Sequence, residues 1–273
     1  MAESYLVLEC AAEGCVAEFY LNDIPVIIRG PEIGRFFCGP MDDHFVDGVN
    51  ELAIVVNPGP TPGEALTGAE RNRDWRNVDK ERAWAKVSRY PVGATVGDGQ
   101  GIEMMAVEWQ APSRRTTCVF PQICSTVVDL GPLYGRWRWQ DSPVLGTGAD
   151  VQAEIDALMQ ALHASLQRGE VDLFLALSRH RLTEGEKAYQ LIPGEKQQMI
   201  RDVMAEETAQ DWWGMEALDP SRYDLRCCAG DRMVELIAKD WLPILREKPD
   251  DEDGIGYYKC FLARIDGELQ IVR

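Results

Sequence analysis

The chain has 273 residues, with 28 basic and 45 acidic side chains and a formal net charge of -17. That balance argues against nucleic acid or an anionic membrane as the main partner, because both are bound by clustered Lys and Arg that displace counterions. Apolar residues at 45% and charged residues at 27% describe an ordinary globular chain, long enough for one large domain or two medium ones.

The first half reads as β structure. Tyr5 to Leu8 starts a strand, Gly14 offers a turn, and Cys15 to Leu21 follows. Asn22-Asp23 is turn chemistry, and Ile24 to Ile28 is the next short strand. Further strands are expected at Glu51 to Val56, Ala83 to Tyr90, Ile102 to Gln110, Thr116 to Phe120, Ser125 to Leu130 and Tyr134 to Gln140. Short strands separated by Gly/Pro loops form the pattern of a β-sandwich or jelly roll over residues 1–145. The segment from Gly59 to Arg82 has no periodicity and reads as a surface excursion.

The grammar changes near Asp150. Val151, Ile155, Leu158, Met159, Leu162 and Leu166 recur at helical spacing, predicting an amphipathic helix that ends near Gly169. A shorter helix is expected over Val171 to Leu177, and a third over Glu195 to Trp213. Strands follow at Tyr223 to Cys228, Met233 to Lys239, Tyr257 to Ile265 and Leu269 to Val272, with Asp266-Gly267 as a hairpin turn. Helices followed by an antiparallel sheet make residues 150–273 an α+β domain, joined through Ser142 to Gly148.

Two resemblances sharpen this. Phe19-Tyr-Leu-Asn-Asp-Ile-Pro-Val26 and Phe45 to Val56 resemble the hairpin and strand entry of galactose-binding-like jelly-roll domains, with Asp23 where glycine is usual. That resemblance implies a sandwich, and loosely a sugar-binding ancestry. The first helix, the Gly169 to Leu175 step and the terminal Ala263 to Arg273 hairpin resemble the NTF2-like fold. That fold hosts enzymes and pure interaction domains alike, so it selects no function. Together the halves look like a two-domain bacterial protein.

The chemistry-bearing residues are sparse. Of the three histidines, His44 stands in Met41-Asp-Asp-His-Phe45, where consecutive side chains diverge and no metal site is expected. His163 reads as helix surface, and His180 as a cation completing a helix end. The eight cysteines lack paired C-x-x-C spacing, so thiols are expected rather than zinc ligands or disulfides. The glycines of Gly97 to Gly101 read as a hairpin loop, not a phosphate cradle. Since NTF2-like enzymes use Tyr–Asp or Asp–His pairs in a cone, the resemblance makes Tyr189, Tyr223, Asp224 and Asp240 candidate pocket residues. Trp137 and Trp139 are either sandwich core or an aromatic platform for a sugar ring. Trp212 and Trp213, after Glu206, Glu207 and Asp211, have the composition of an interface anchor for a basic surface. The acidic run Asp250, Asp251, Glu252 and Asp253 extends that charge.

The favoured expectation is a non-enzymatic, acidic, partner-binding protein, such as an immunity protein or adaptor that masks a basic effector. No cofactor is expected. The alternatives are a small-molecule binder or enzyme using the cone, and a carbohydrate-binding module using Trp137 and Trp139. Met1-Ala2-Glu3-Ser4 leads into no signal-like segment and no apolar run spans a bilayer, so a cytoplasmic location without membrane partners is expected.

Overall fold

A computed structural model describes residues 4–31, 33–59, 69–71, 81–112, 118–248 and 256–273. The chain divides into two compact units, Met1–Arg136 and Trp137–Arg273. The first unit is built from β1 (Ser4–Glu13), β2 (Ala17–Leu21), β3 (Ile24–Arg29), β4 (Phe36–Pro40), β5 (Val49–Val56), β6 (Ala69–Arg71), β7 (Arg82–Pro91), β8 (Ile102–Gln110), β9 (Cys118–Phe120) and β10 (Gln122–Asp129). Two four-stranded sheets, ordered β4-β1-β7-β8 and β10-β5-β2-β3, share one core, and β6 pairs with β9. All these pairings are antiparallel.

Side-chain alternation explains the layers. Leu6, Leu8, Cys10 and Ala12 of β1 point to the core beside Ala83, Ala85 and Val87 of β7. Phe19 and Leu21 of β2, with Leu52, Ile54 and Val56 of β5, meet them from the other sheet. Each such large side chain contributes about 1.5–3 kcal/mol on burial. The β2–β3 turn has φ of +53° at Asn22 and +63° at Asp23, the two left-handed residues that a type I′ hairpin requires. Asp47 ties the loop before β5 to the end of the unit, accepting the amide N–H groups of Leu133, Tyr134 and Gly135 at 2.8–2.9 Å.

That brace corrects one expectation. Tyr134 to Gln140 is not a strand. Gly135 has φ +79°, and residues Arg138–Asp141 close a 3-10 turn in which Gln140 Oε1 accepts the Trp137 amide at 2.8 Å. The alternating Trp137-Arg138-Trp139 pattern mimics strand periodicity, but both rings are buried, at 1% and 6% exposure, within the second unit. Arg273 lies over both rings, 5.3 Å from Trp137 and 6.0 Å from Trp139. An exposed sugar platform at these two residues is therefore not what the fold builds.

The second unit places α1 (Ala149–Gln167), α2 (Asp172–Leu177), α3 (Arg179–Ala188) and α4 (Glu195–Thr208) before β11 (Tyr223–Cys228), β12 (Met233–Ala238), β13 (Leu245–Arg246), β14 (Tyr257–Tyr258), β15 (Cys260–Ile265) and β16 (Glu268–Ile271). The main sheet is β11-β12-β15-β16, and β13 pairs with β14. Ile155, Met159, Leu162 and Leu166 form the buried stripe of α1 and join Leu225, Leu236, Leu262 and Ile271 of the sheet in one cluster. The helix stops as expected near Gly169, whose φ is +72°. The Gly169 amide donates to Leu166 and the Glu170 amide to Ser165, which is the Schellman pattern. The helix α3 was not legible in the sequence, and it puts His180 in a first turn rather than at a helix end. Burial and then Arg179 push the His180 pKa down, so it does not serve as the expected dipole-completing cation.

Candidate functional site

The second unit contains a small pocket lined by Glu216, Leu218, Arg222, Tyr223, Ile244 and Arg246. Its free volume is about 20 Å³, room for one or two water molecules, whereas small-molecule sites run to several hundred. Tyr223 enters it from the start of β11, which faces α1, and donates its hydroxyl to Asp156. Asp156 also accepts from Gln152 one helical turn earlier, at 2.7 Å. Burial, then the bond to Asp156, pushes the Tyr223 pKa up. Arg246 is 7% exposed and spans Glu216 at 2.6 Å and Asp240 at 3.0 Å. Charges held this way are oriented by one another, which fixes the pocket wall.

Of the expected pocket residues, Tyr223 and Asp240 thus gather around Arg246. Asp240 lies in the turn after β12 rather than in a strand. Tyr189 caps the end of α3 with Lys196 4.4 Å from its ring centroid, and it is not among the pocket-lining residues. Asp224 is half-buried on β11 opposite Ile237. The Asp156–Tyr223 pair was missed because 67 residues separate its members. Met159, Leu162, Met204, Met215 and Leu236 belong to the unit's buried apolar cluster.

The other histidines are also occupied. His163 contacts the Glu216 carbonyl at 2.7 Å, and His44 contacts Asp43 at 3.1 Å. Asp42, in contrast, points inward and is fully buried. Among the described residues no three His, Cys, Asp or Glu side chains form a metal-binding group. The seven cysteines whose side chains are described are free thiols. Among the described residues no helix is long and apolar enough to cross a membrane.

The more open feature is α4. Met204 is its only buried residue, and Ile200 packs partly against the core. Met199 and Val203, four residues apart, share the outer face at 56% and 50% exposure. By the same periodicity Asp202 and Glu206 flank them, and both are exposed. Ile192 precedes the helix at 73% exposure and Trp212 follows it at 42%. The adjacent Trp213 is half-buried and packs against the core, so the two indoles divide between inside and outside. Asp211 is exposed beside Trp212, whereas Asp250, Asp251, Glu252 and Asp253 lie outside the described residues.

Glu207 of α4 is half-buried, and Glu247, which follows β13, is 6% exposed. Tyr258 of β14 donates to Glu247 Oε1 at 2.8 Å, and its hydroxyl lies 3.0 Å from Met204 Sδ. Burial and then the Glu247 charge push the Glu207 pKa up to about 7. Comparison of the chain with protein-family models, with curated proteins and with solved structures found no match.

Proposed function

We propose that the protein is a non-enzymatic binding protein whose α4 face docks a basic, amphipathic segment of a partner protein. The observation that carries this reading is an apolar ridge, Met199 and Val203, exposed beside Asp202 and Glu206, with Trp212 exposed on the following turn. Apolar anchors supply affinity and the surrounding carboxylates select cationic partners and speed their approach. The surplus acidity of the chain, 45 against 28, favours the same partner class at long range. The packed interior and the one- or two-water pocket favour binding over small-molecule catalysis. An immunity protein or adaptor for a basic effector fits this chemistry. The finer likenesses, a jelly roll for the first unit and an NTF2-like domain for the second, belong to the same proposal.

The test uses a Lys/Leu amphipathic helical peptide of about 20 residues and measures fluorescence anisotropy at low and high salt. The intact chain is expected to bind, more weakly as salt rises. Val203→Asp and Trp212→Ala are each expected to weaken binding by about tenfold or more, the cost of losing a hot-spot contact. Equal binding by both variants would refute the α4 face. Because both positions are exposed, their unfolding midpoints should stay near that of the parent chain.

A further inference from the structure

The two four-stranded sheets of the first unit end in the edge strands β4 and β8, and β10 and β3. An edge offers unpaired N–H and C=O groups to any other strand, so natural edges carry proline, charge or a bulge that discourages pairing. Strand β3 contains Pro25 and Arg29, and β4 ends in Gly39-Pro40. Strand β8 exposes Glu103 and Glu108 beside a register shift at Val87/Ser88. Strand β10 lacks these guards. Gln122 to Val128 carries no charge and no proline, and the whole strand pairs with β5 in unbroken register. The Leu130 amide continues that register, donating to the Gly48 carbonyl at 2.9 Å. Antiparallel peptide groups alternate in direction, so the even-numbered residues bond to β5, and Ile123, Ser125 and Val127 turn theirs to the free edge. Among the described residues no backbone hydrogen bond meets that edge. The same three side chains are exposed, Ile123 at 61% and Val127 at 59%, whereas Cys124 and Val128 pack against the core.

We propose that β10 is a self-pairing edge, through which two copies of the chain join β10 to β10, antiparallel, about a twofold axis at Ser125. The strand is its own complement in that register. Ile123 of each copy stands opposite the partner's Val127, and the two Ser125 residues face each other. These are the residues whose peptide groups are free, so the opposed pairs exchange about six hydrogen bonds. The two apolar cross-strand pairs cover the exposed Ile123 and Val127 side chains. Pro121 has no amide proton to donate, so the pairing ends there. The two Asp129 carboxylates then lie at opposite ends, roughly 27 Å apart, well beyond the screening length. Charge favours the same place: at a net -17 two copies repel over much of their surface, and β10 offers an uncharged strip. One strand pair is a small interface, so the dimer is reversible, with a Kd of about 10–100 µM. This contact is independent of the α4 docking face.

Sedimentation equilibrium of the full chain from about 1 to 300 µM tests the association. The parent chain is expected to pass reversibly from monomer to dimer over that range. Val127→Lys sets a cation on the edge at both symmetric positions and should weaken the dimer by about tenfold or more. Val203→Asp, on the exposed face of α4, should dimerise like the parent chain. Amide hydrogen exchange at low and high concentration reads the register. The Ile123, Ser125 and Val127 amides should gain protection as the dimer forms, while the even-numbered amides are already held by β5. A chain that stays monomeric at about 300 µM overturns the proposal. So does a dimer that withstands Val127→Lys, one abolished by Val203→Asp instead, or one that leaves those three amides unprotected.

Discussion

Asp42 is held far from its ordinary chemistry within the first unit. It is fully buried, and its Oδ1 accepts from the Leu6 amide at 2.9 Å and from the Tyr134 hydroxyl, while Oδ2 finds no partner among the described residues. Burial pushes its pKa up to about 6, against the pull of those two bonds. Its folded value is thus above the unfolded one, near 4, and the folded state holds the extra proton between them. The stability it contributes is complete below about pH 4 and is lost as pH rises through about 6. Asp42→Asn keeps the acceptor and has no proton to lose. The advantage of the parent chain over Asp42→Asn should therefore shrink between about pH 4 and pH 7, by up to about 3 kcal/mol. Urea unfolding of both chains across that range measures it, and a pH-independent difference would contradict the assignment. In the sequence Asp42 is only the first of three consecutive polar residues with Asp43 and His44. Its inward turn depends on Leu6 and Tyr134, which no local pattern reveals.

At the level of elements, legibility followed periodicity. The α1 stripe, the alternation of β1 and β7, and the Asn22-Asp23 and Asp266-Gly267 turns each carry their signal within a few residues. The strand β4, Phe36–Pro40, ends in Gly39-Pro40, and β13 has two residues; neither is long enough to show a period. The helix α3, Arg179–Ala188, is too polar to announce a stripe, and its Gly185 is buried because Lys196 packs against it. Gly169 shows a local signal with a long-range cause. Its left-handed φ suits the end of α1, but an added Cβ would also meet Thr208 Cγ2, at the end of α4, at 2.8 Å. Gly169→Ala therefore combines backbone strain with a clash between two helix ends. It should cost about 2 kcal/mol or more, read as a lowered urea midpoint with an unchanged slope. A cost near zero would mean that the two helix ends are not in contact. Because α4 is shallowly seated, this substitution should also weaken peptide binding at its outer face.

Across the whole chain, composition is informative about charge but a poor guide to where one unit stops. Residues 1–145 hold 13 basic and 20 acidic side chains, and residues 146–273 hold 15 and 25, so neither half accounts for the acidity alone. The small-residue stretch Ser142 to Gly148 looks like the natural linker, yet the division by contacts falls earlier, at Arg136 and Trp137. The reason lies in the second unit's own packing. Arg273 and Lys187 lie over the Trp137 ring at 5.3 and 5.9 Å, the Leu145 amide donates to the Asp231 carbonyl, and Arg232 donates to the Ser142 carbonyl. Arg273 is itself 3% exposed and paired with Glu184 at 2.7 Å, so the segment 137–145 covers a charge that water would otherwise reach. Removing this segment should uncover that ion pair and forfeit the burial of two indoles, each worth about 3 kcal/mol. A fragment beginning at Trp137 is therefore expected to unfold cooperatively in urea. One beginning at Asp150 should lose most of its stability or fail to fold. Equal midpoints for the two fragments would mean that Trp137 and Trp139 contribute nothing to the second unit's core.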